Sequence, residues 1–332
     1  MTDVTEAVDT ADSTGLVHPQ QPLTWIIGAG GLLGAAVNAG AVRRFAGDPV
    51  PWHDNDLALA ALLSSLRRFT DEVSGGPWTI VWAAGAATVS SSEAACTSES
   101  ALLQAFLEQL RDNPPAPASA GVFFLTSSAG GLFAGAKHPP FTETSEPRPI
   151  GPYGFAKLAN EHLAATLLAD TCPVIIGRFS NIYGPGQKLT KMQGLISRLA
   201  LSAATRQPIN LFVPLSTVRD YIYVDDAAAI THAWINAAHH APRAKSDAAI
   251  RLIASGEGTS VGQLVRTTQD VTRRKVPIAM GSHPSSSLQA PDLRFVPSQL
   301  DNGAHVPSTS LPIGMKRVFD GILRQLQDPA TT

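Results

Sequence analysis

Tyr153 and Lys157 are the residues whose types and spacing could do chemistry. They lie in Gly151-Pro-Tyr-Gly-Phe-Ala-Lys-Leu-Ala-Asn-Glu161, at the start of an Ala-rich run. A spacing of four places both side chains on one face of a helix. A phenol is a poor base at neutral pH, since its ordinary pKa is ~10. A fixed ammonium close by favours the phenolate. Such a pair can take a proton from an alcohol oxygen and give it back. The same spacing also arises by chance on helices, so its weight rests on its surroundings.

The first of these is a glycine loop. Gly28, Gly31 and Gly34 recur at intervals of three in Gly28-Ala-Gly-Gly-Leu-Leu-Gly34. An apolar strand, Leu23–Ile27, precedes the loop, and a helical run at Ala35–Phe45 follows it. Glycine lets the backbone turn tightly against a pyrophosphate, and a helix start offers free N–H groups, here those of Leu32 and Leu33. The Gly-x-Gly-x-x-Gly frame fails, because Leu33 stands at its last position. An acidic residue about 20 positions on would read the adenosine ribose. Asp54 fits that spacing, but it also fits a loop approaching adenine or the cap of a following helix. Arg43 or Arg44 could meet a 2′-phosphate or simply face solvent. The choice between NAD and NADP therefore stays open.

These groups need a scaffold that carries them at strand ends. Further strands are expected at Pro49–His53, Trp78–Trp82, Gly121–Leu125 and Val174–Phe179. Helices are expected at about Leu57–Val73 and Glu99–Arg111, and from Tyr153. Strands alternating with helices imply an α/β fold, a doubly wound parallel sheet covered on both faces. Ligands in such sheets bind at the carboxyl ends of the strands. Only one strand candidate lies between the first helix and Trp78, where two are expected.

Composition narrows the function. The 332 residues are 44% hydrophobic and 16% charged, with net charge −2. No basic excess invites nucleic acid or anionic lipid, and the short clusters Arg43-Arg44, Arg67-Arg68 and Arg273-Arg274-Lys275 read as surface. No apolar run reaches the ~18 residues of a membrane span. Residues 1–20 are acidic, lack a signal-peptide pattern and read as a disordered tail. Cys96 and Cys172 form no disulfide framework, which fits a reducing cytoplasm. No metal site is expected: His239 and His240 are adjacent and cannot share a helix face, and His53, His138 and His162 have no partner pattern.

Taken together, the chain resembles the extended short-chain dehydrogenase/reductase family, in its nucleotide-sugar epimerase/dehydratase branch, over about residues 23–325. The glycine loop looks like that family's phosphate loop. Trp82-Ala-Ala-Gly85 is similar to its next strand-end motif, which implies cofactor contacts at Ala83, Ala84 and Gly85. Phe124-Leu-Thr-Ser-Ser128 resembles the strand delivering the catalytic Ser. Arg178-Phe-Ser-Asn-Ile-Tyr-Gly-Pro-Gly-Gln187, Arg219-Asp-Tyr-Ile-Tyr-Val-Asp-Asp226 and Ala254-Ser-Gly-Glu-Gly-Thr-Ser260 resemble three later signatures. The resemblance implies that Ser128 bonds the reacting sugar oxygen, with Ser127 its rival for that role. It implies Tyr153 as acid/base and Lys157 as ligand of the nicotinamide ribose. Asn181 and Arg219 would hold the substrate diphosphate, the alternative for Arg219 being an ion pair with Asp220 or Asp225.

The resemblance also implies a Rossmann domain from 21–183 and 220–244, rejoined by a strand near 220–231. A smaller C-terminal substrate-binding lobe would use 184–219 and 245–325. It implies a homodimer paired through helices that include the Tyr153 helix. Some positions depart from the pattern. Trp82 stands where the family often has His, and Phe133 about where Tyr is common. Pro214-Leu-Ser-Thr217 replaces the usual Gly-Asp-Gly. Dehydratases of the family carry an Asp-Glu pair after the Thr, where this chain has Ser127-Ser128-Ala129. The expected reaction is therefore transient oxidation and return, epimerisation of a nucleotide sugar at C4 with NAD. The alternatives are an NADPH-dependent keto-sugar reductase and a non-catalytic dinucleotide-sensing regulator.

Overall fold

A computed structural model describes residues 21–187, 194–241, 248–281, 289–297 and 308–327. The expected tail at 1–20 lies outside the described residues. The first half alternates strand and helix: β1 Leu23–Ile27, α1 Leu32–Gly40, β2 Arg43–Phe45, α2 Asn55–Val73, β3 Trp78–Trp82, α3 Glu93–Asp112, β4 Gly121–Ser128, α4 Ala129–Leu132, α5 Pro152–Leu167 and β5 Val174–Phe179. The second half is more broken: β6 Asn181–Tyr183, α6 Leu195–Thr205, β7 Ile209–Leu211, β8 Val218–Tyr223, α7 Val224–His240 and β9 Ala249–Ile253. Then come β10 Gly258–Ser260, α8 Val261–Thr272, β11 Ile278–Met280, β12 Asp292–Leu293 and α9 Leu311–Gln327.

Six strands make one Rossmann-like parallel sheet in the order β2-β1-β3-β4-β5-β9. The chain reverses direction across the sheet between β1 and β3, which opens a crevice at their carboxyl ends. Side-chain alternation explains both covered faces. Leu23, Trp25, Ile27, Trp78, Ile80, Trp82, Phe123 and Leu125 join the α2–α3 side, together with Leu62, Phe69, Phe106 and Leu107. Ile26, Val81, Val122 and Phe124 join the opposite side, with Val37, Ala227 and Ile230 of α1 and α7.

The structure corrects several expectations. The helix expected at Ala35–Phe45 stops at Gly40, and Arg43–Phe45 pairs with β1. Pro49–His53 forms no strand; its two prolines cannot donate to a ladder. The shortened second unit is real: β2 alone lies between α1 and α2. Helix α3 begins at Glu93 rather than Glu99, because the Ser92 hydroxyl caps it by accepting from Ala95 N–H. The sixth strand of the main sheet is Ala249–Ile253, not a segment near 220–231, so it comes from a stretch assigned above to the substrate lobe. Strand β8 belongs instead to a small sheet, paired with β6, β10 and β12.

A second core gathers Ile196 and Leu199 of α6, Leu264 of α8, and Met315, Val318 and Phe319 of α9. An aromatic seam links the two regions. Phe133, just after α4, stacks on Phe141 with ring centroids 5.0 Å apart, and both rings contact Phe295, just after β12. Among the described residues, no helix is long and apolar enough to cross a membrane.

Candidate active site

The glycine loop is shaped by backbone contact. Gly28 has φ +97°, and a Cβ there would stand 2.6 Å from Ala84 N and 2.7 Å from the Ala83 carbonyl carbon. A Cβ on Gly34 would run into the Gly28 carbonyl oxygen. These two glycines let α1 sit directly on the end of β1 and against the Ala83-Ala84 backbone. Gly30 and Gly31 face the open side: nothing lies near a Cβ on Gly30, and only the Gly28 oxygen, at 3.4 Å, near one on Gly31. Gly31 caps α1 without a side chain. The first-turn N–H groups of Leu32, Leu33 and Gly34 have no partner within the helix. That is a cradle for a pyrophosphate, and the residues fit a dinucleotide.

Next to it, Tyr153 and Lys157 occupy the first two turns of α5, which starts with Pro152 at a position where its missing N–H costs nothing. The Lys157 ammonium lies 5.6 Å from the centre of the Tyr153 ring. Ser128 ends β4, and its Oγ accepts a hydrogen bond from Gly131 N–H at 3.2 Å. The hydroxyl proton is left free to donate. A Cβ on Gly131 would meet the Tyr153 ring at 3.0 Å. Gly131 thus brings Ser128 and Tyr153 to one place.

Ser127 is turned the other way. Its Oγ donates to Glu161 Oε1 at 2.5 Å, and Glu161 pairs with Arg178 through a 2.7 Å bond. Both partners are almost fully buried, at 5% and 4% side-chain exposure. Removing one partner of such a pair leaves a buried charge uncompensated. Ser127 is structural here, and Thr126 likewise donates to the Trp82 carbonyl at 2.9 Å. A groove of about 820 Å³ beside α5 and β9 is lined by Glu161, His162 and Arg178; none of Ser128, Tyr153, Lys157 or the glycine loop lines it.

Asn181 and Arg219 stand on the small sheet. Asn181 Nδ2 donates to the Asp220 carbonyl at 2.9 Å, and Asn181 registers with Tyr221 on the parallel β6–β8 pair. Arg219 donates to the Val218 carbonyl. Among the described residues it forms no ion pair; the Asp220 carboxylate accepts instead from Ser255 N–H, Ser255 Oγ and Gly256 N–H. Burial lowers the Arg219 pKa, while Tyr221 and Asp292 oppose that shift. Burial also pushes the Tyr221 phenol up to about 12, against the pull of Arg219. Burial raises the Asp220 carboxyl, which hydrogen bonding from Ser180, Ser255 and Gly256 partly offsets.

Asp54, offered as a ribose or adenine ligand, caps α2: its Oδ1 accepts from Asp56 and Leu57 N–H. Arg43 donates to the Gln21 carbonyl, and Arg44 is exposed. Glu99 is a further residue here that no sequence motif marks. It sits in the second turn of α3 and accepts hydrogen bonds from Ala86 and Ala87 N–H, at the mouth of the Ala83–Gly85 motif. A lone Glu within a helical run gives no signal of such a return to a distant loop.

With this geometry in place, comparison with known proteins decides the family. Residues 26–245 match the sequence pattern of the NAD dependent epimerase/dehydratase family. The chain belongs to that family. It is similar to a dTDP-L-rhamnose 4-epimerase of Burkholderia thailandensis, 35% identical over 132 residues, 39% of this chain and 34% of that one. It is similar also to an Escherichia coli dTDP-4-dehydro-6-deoxyglucose reductase, 27% identical over 153 residues, 46% of each chain. The matched stretches thus span from about a third to a half of these relatives' lengths. In fold it is similar to MoeE5, solved in complex with UDP-glucose and NAD: TM-score 0.72, 21% identity, covering 92% of this chain and 99% of that one.

Proposed function

We propose that this chain is a nucleotide-sugar epimerase that binds NAD and inverts a sugar hydroxyl carbon, C4, by transient oxidation. The observation carrying this reading is the convergence of Ser128 and Tyr153 over Gly131, with Lys157 one turn along. NAD bound over the glycine loop would supply the acceptor that takes a hydride and gives it back. The residues supply the rest. Ser128 donates its free proton to the reacting oxygen. Tyr153 takes the hydroxyl proton as the keto-sugar forms and returns it after the sugar turns over. Lys157 keeps a positive charge beside the phenol throughout. No carboxylate stands after Thr126, where Ser127, Ser128 and Ala129 follow, to drive elimination of water.

The substrate end fits an anion. A half-buried guanidinium without a carboxylate partner is costly, and a diphosphate would offset that cost through forked bonds to Arg219. Asn181 spends one N–H of its Nδ2 on the Asp220 carbonyl and keeps the second to donate to the same ligand. The half-exposed Phe155 on α5, beside the α3–α5 packing, supports a homodimer through that face. Light scattering reads the dimer directly.

A second reading is a keto-sugar reductase, which the similarity to the Escherichia coli reductase favours. The two part over the fate of the cofactor. An epimerase regenerates it at each turn. The test supplies UDP- or dTDP-hexoses with catalytic NAD and follows absorbance at 340 nm alongside the sugar product. Interconversion of epimers without net absorbance change is expected. Stoichiometric consumption of NADPH with a keto-sugar would overturn epimerisation in favour of the reductase.

A further inference from the structure

Glu99 is held as though its charge has a task. Its Oε1 accepts from Ala86 N–H at 2.6 Å and Ala87 N–H at 2.7 Å, short bonds that fix the carboxylate. Its Oε2 lies 3.4 Å from where a Cβ on Gly85 would stand, and Lys157 Nζ lies 3.7 Å from that same point. Gly85 has φ +148° and puts no side chain there. A carboxylate and an ammonium therefore face one small space, yet they form no ion pair with each other. Cys96, one turn earlier on α3, is buried and senses both. Burial and the Glu99 carboxylate push its thiol up, Lys157 pulls it down, and Glu93 adds to the rise. None of the proton transfers described above uses Glu99.

We infer that Glu99 is a positioning residue for the nicotinamide end of the site: it ties the Gly85–Ala87 turn to α3 and sets a fixed negative charge opposite Lys157. This rests on the NAD-binding reading above. The chemistry gives the charge a consequence. An oxidised nicotinamide ring is cationic, and a reduced one is neutral. Lys157 alone makes this end of the site disfavour the cation, and Glu99 offsets that. A resting state that favours the oxidised form suits a cycle that opens by removing hydride from the substrate.

The test uses Glu99→Gln and Glu99→Ala in the full chain. Calorimetry measures NAD+ against NADH, and NADP+ against NADPH. The Gln oxygen can still accept from the Ala86 and Ala87 N–H groups, so this variant removes charge and keeps the tether. Glu99→Gln is expected to lower oxidised-form affinity relative to reduced-form affinity by at least roughly fivefold, the order two unit charges about 4 Å apart give in bulk water. Glu99→Ala is expected to show the same change in ratio plus a loss of affinity for both forms. A ratio within twofold of wild type in Glu99→Gln overturns the inference, whether or not both affinities fall together. Failure of the wild-type chain to bind any of the four nucleotides overturns the NAD reading itself, a distinct outcome.

Discussion

The two ends of the site are built by different means. At the glycine loop and α5, backbone geometry does most of the positioning. Gly28 and Gly34 lie in one short loop, and they seat α1 on the end of β1 and against the Ala83-Ala84 backbone. At the small sheet, side chains tether segments far apart in the chain. Asp220 holds Ser255 and Gly256, 35 and 36 positions on, and Asp226 accepts from Thr309 N–H, 83 positions on. An end shaped by backbone packing and an end tethered by side chains should respond differently to substitution.

Substitutions at either end should separate the two. Tyr153→Phe keeps the ring against Gly131 and removes only the proton-transfer group. Turnover is expected to fall by about 10²–10⁴-fold with NAD affinity unchanged. Steady-state rates and calorimetry together check this, and near-wild-type turnover would contradict the assignment. Arg219→Ala should act on the other end. Losing charged hydrogen bonds of about 1.5–3 kcal/mol corresponds to roughly 10- to 100-fold weaker nucleotide-sugar binding. Cofactor binding is expected to stay as it was; an equal loss for both ligands would make Arg219 structural.

How much of this the sequence disclosed follows the same division. The strands β1 and β3 and the glycine loop were legible because each is a short local pattern. Ser128, Tyr153 and Lys157 were legible as motif residues, and the structure adds that Gly131 unites the first two. The Pro49–His53 strand was misread because apolar residues near a turn look alike until the prolines are weighed. Arg43–Phe45 was missed because three residues cannot show alternation. The sixth strand, β9, was misassigned because pairing with β5 is a contact over some 75 positions, which no local pattern encodes. Glu99 escaped notice for the same reason.

Smaller effects sharpen the contrast. Gly34→Ala drives a methyl into the Gly28 carbonyl, and overpacking of this kind costs about 1–3 kcal/mol. A lowered Tm and weaker NAD binding are expected, with the small sheet's ligand binding unaffected at saturating NAD. Unchanged stability would mean the loop yields freely. Smallest is the expectation for Cys96. A buried thiol pushed up in pKa is a poor nucleophile at neutral pH. Iodoacetamide at pH 7 should leave Cys96 unmodified in the folded chain, as mass spectrometry would read. Rapid labelling there would mean that the α3 end near Glu99 opens.

In the proposed reaction one carbon of a nucleotide sugar loses its hydride and regains the same one. A nucleotide hexose carrying deuterium at C4 tests this most directly. With unlabelled NAD in trace amount, NMR of the product should show the inverted epimer with deuterium retained at C4 and a slowed rate. Inversion with the label washed out to solvent, or label transferred stoichiometrically into free cofactor, would contradict it.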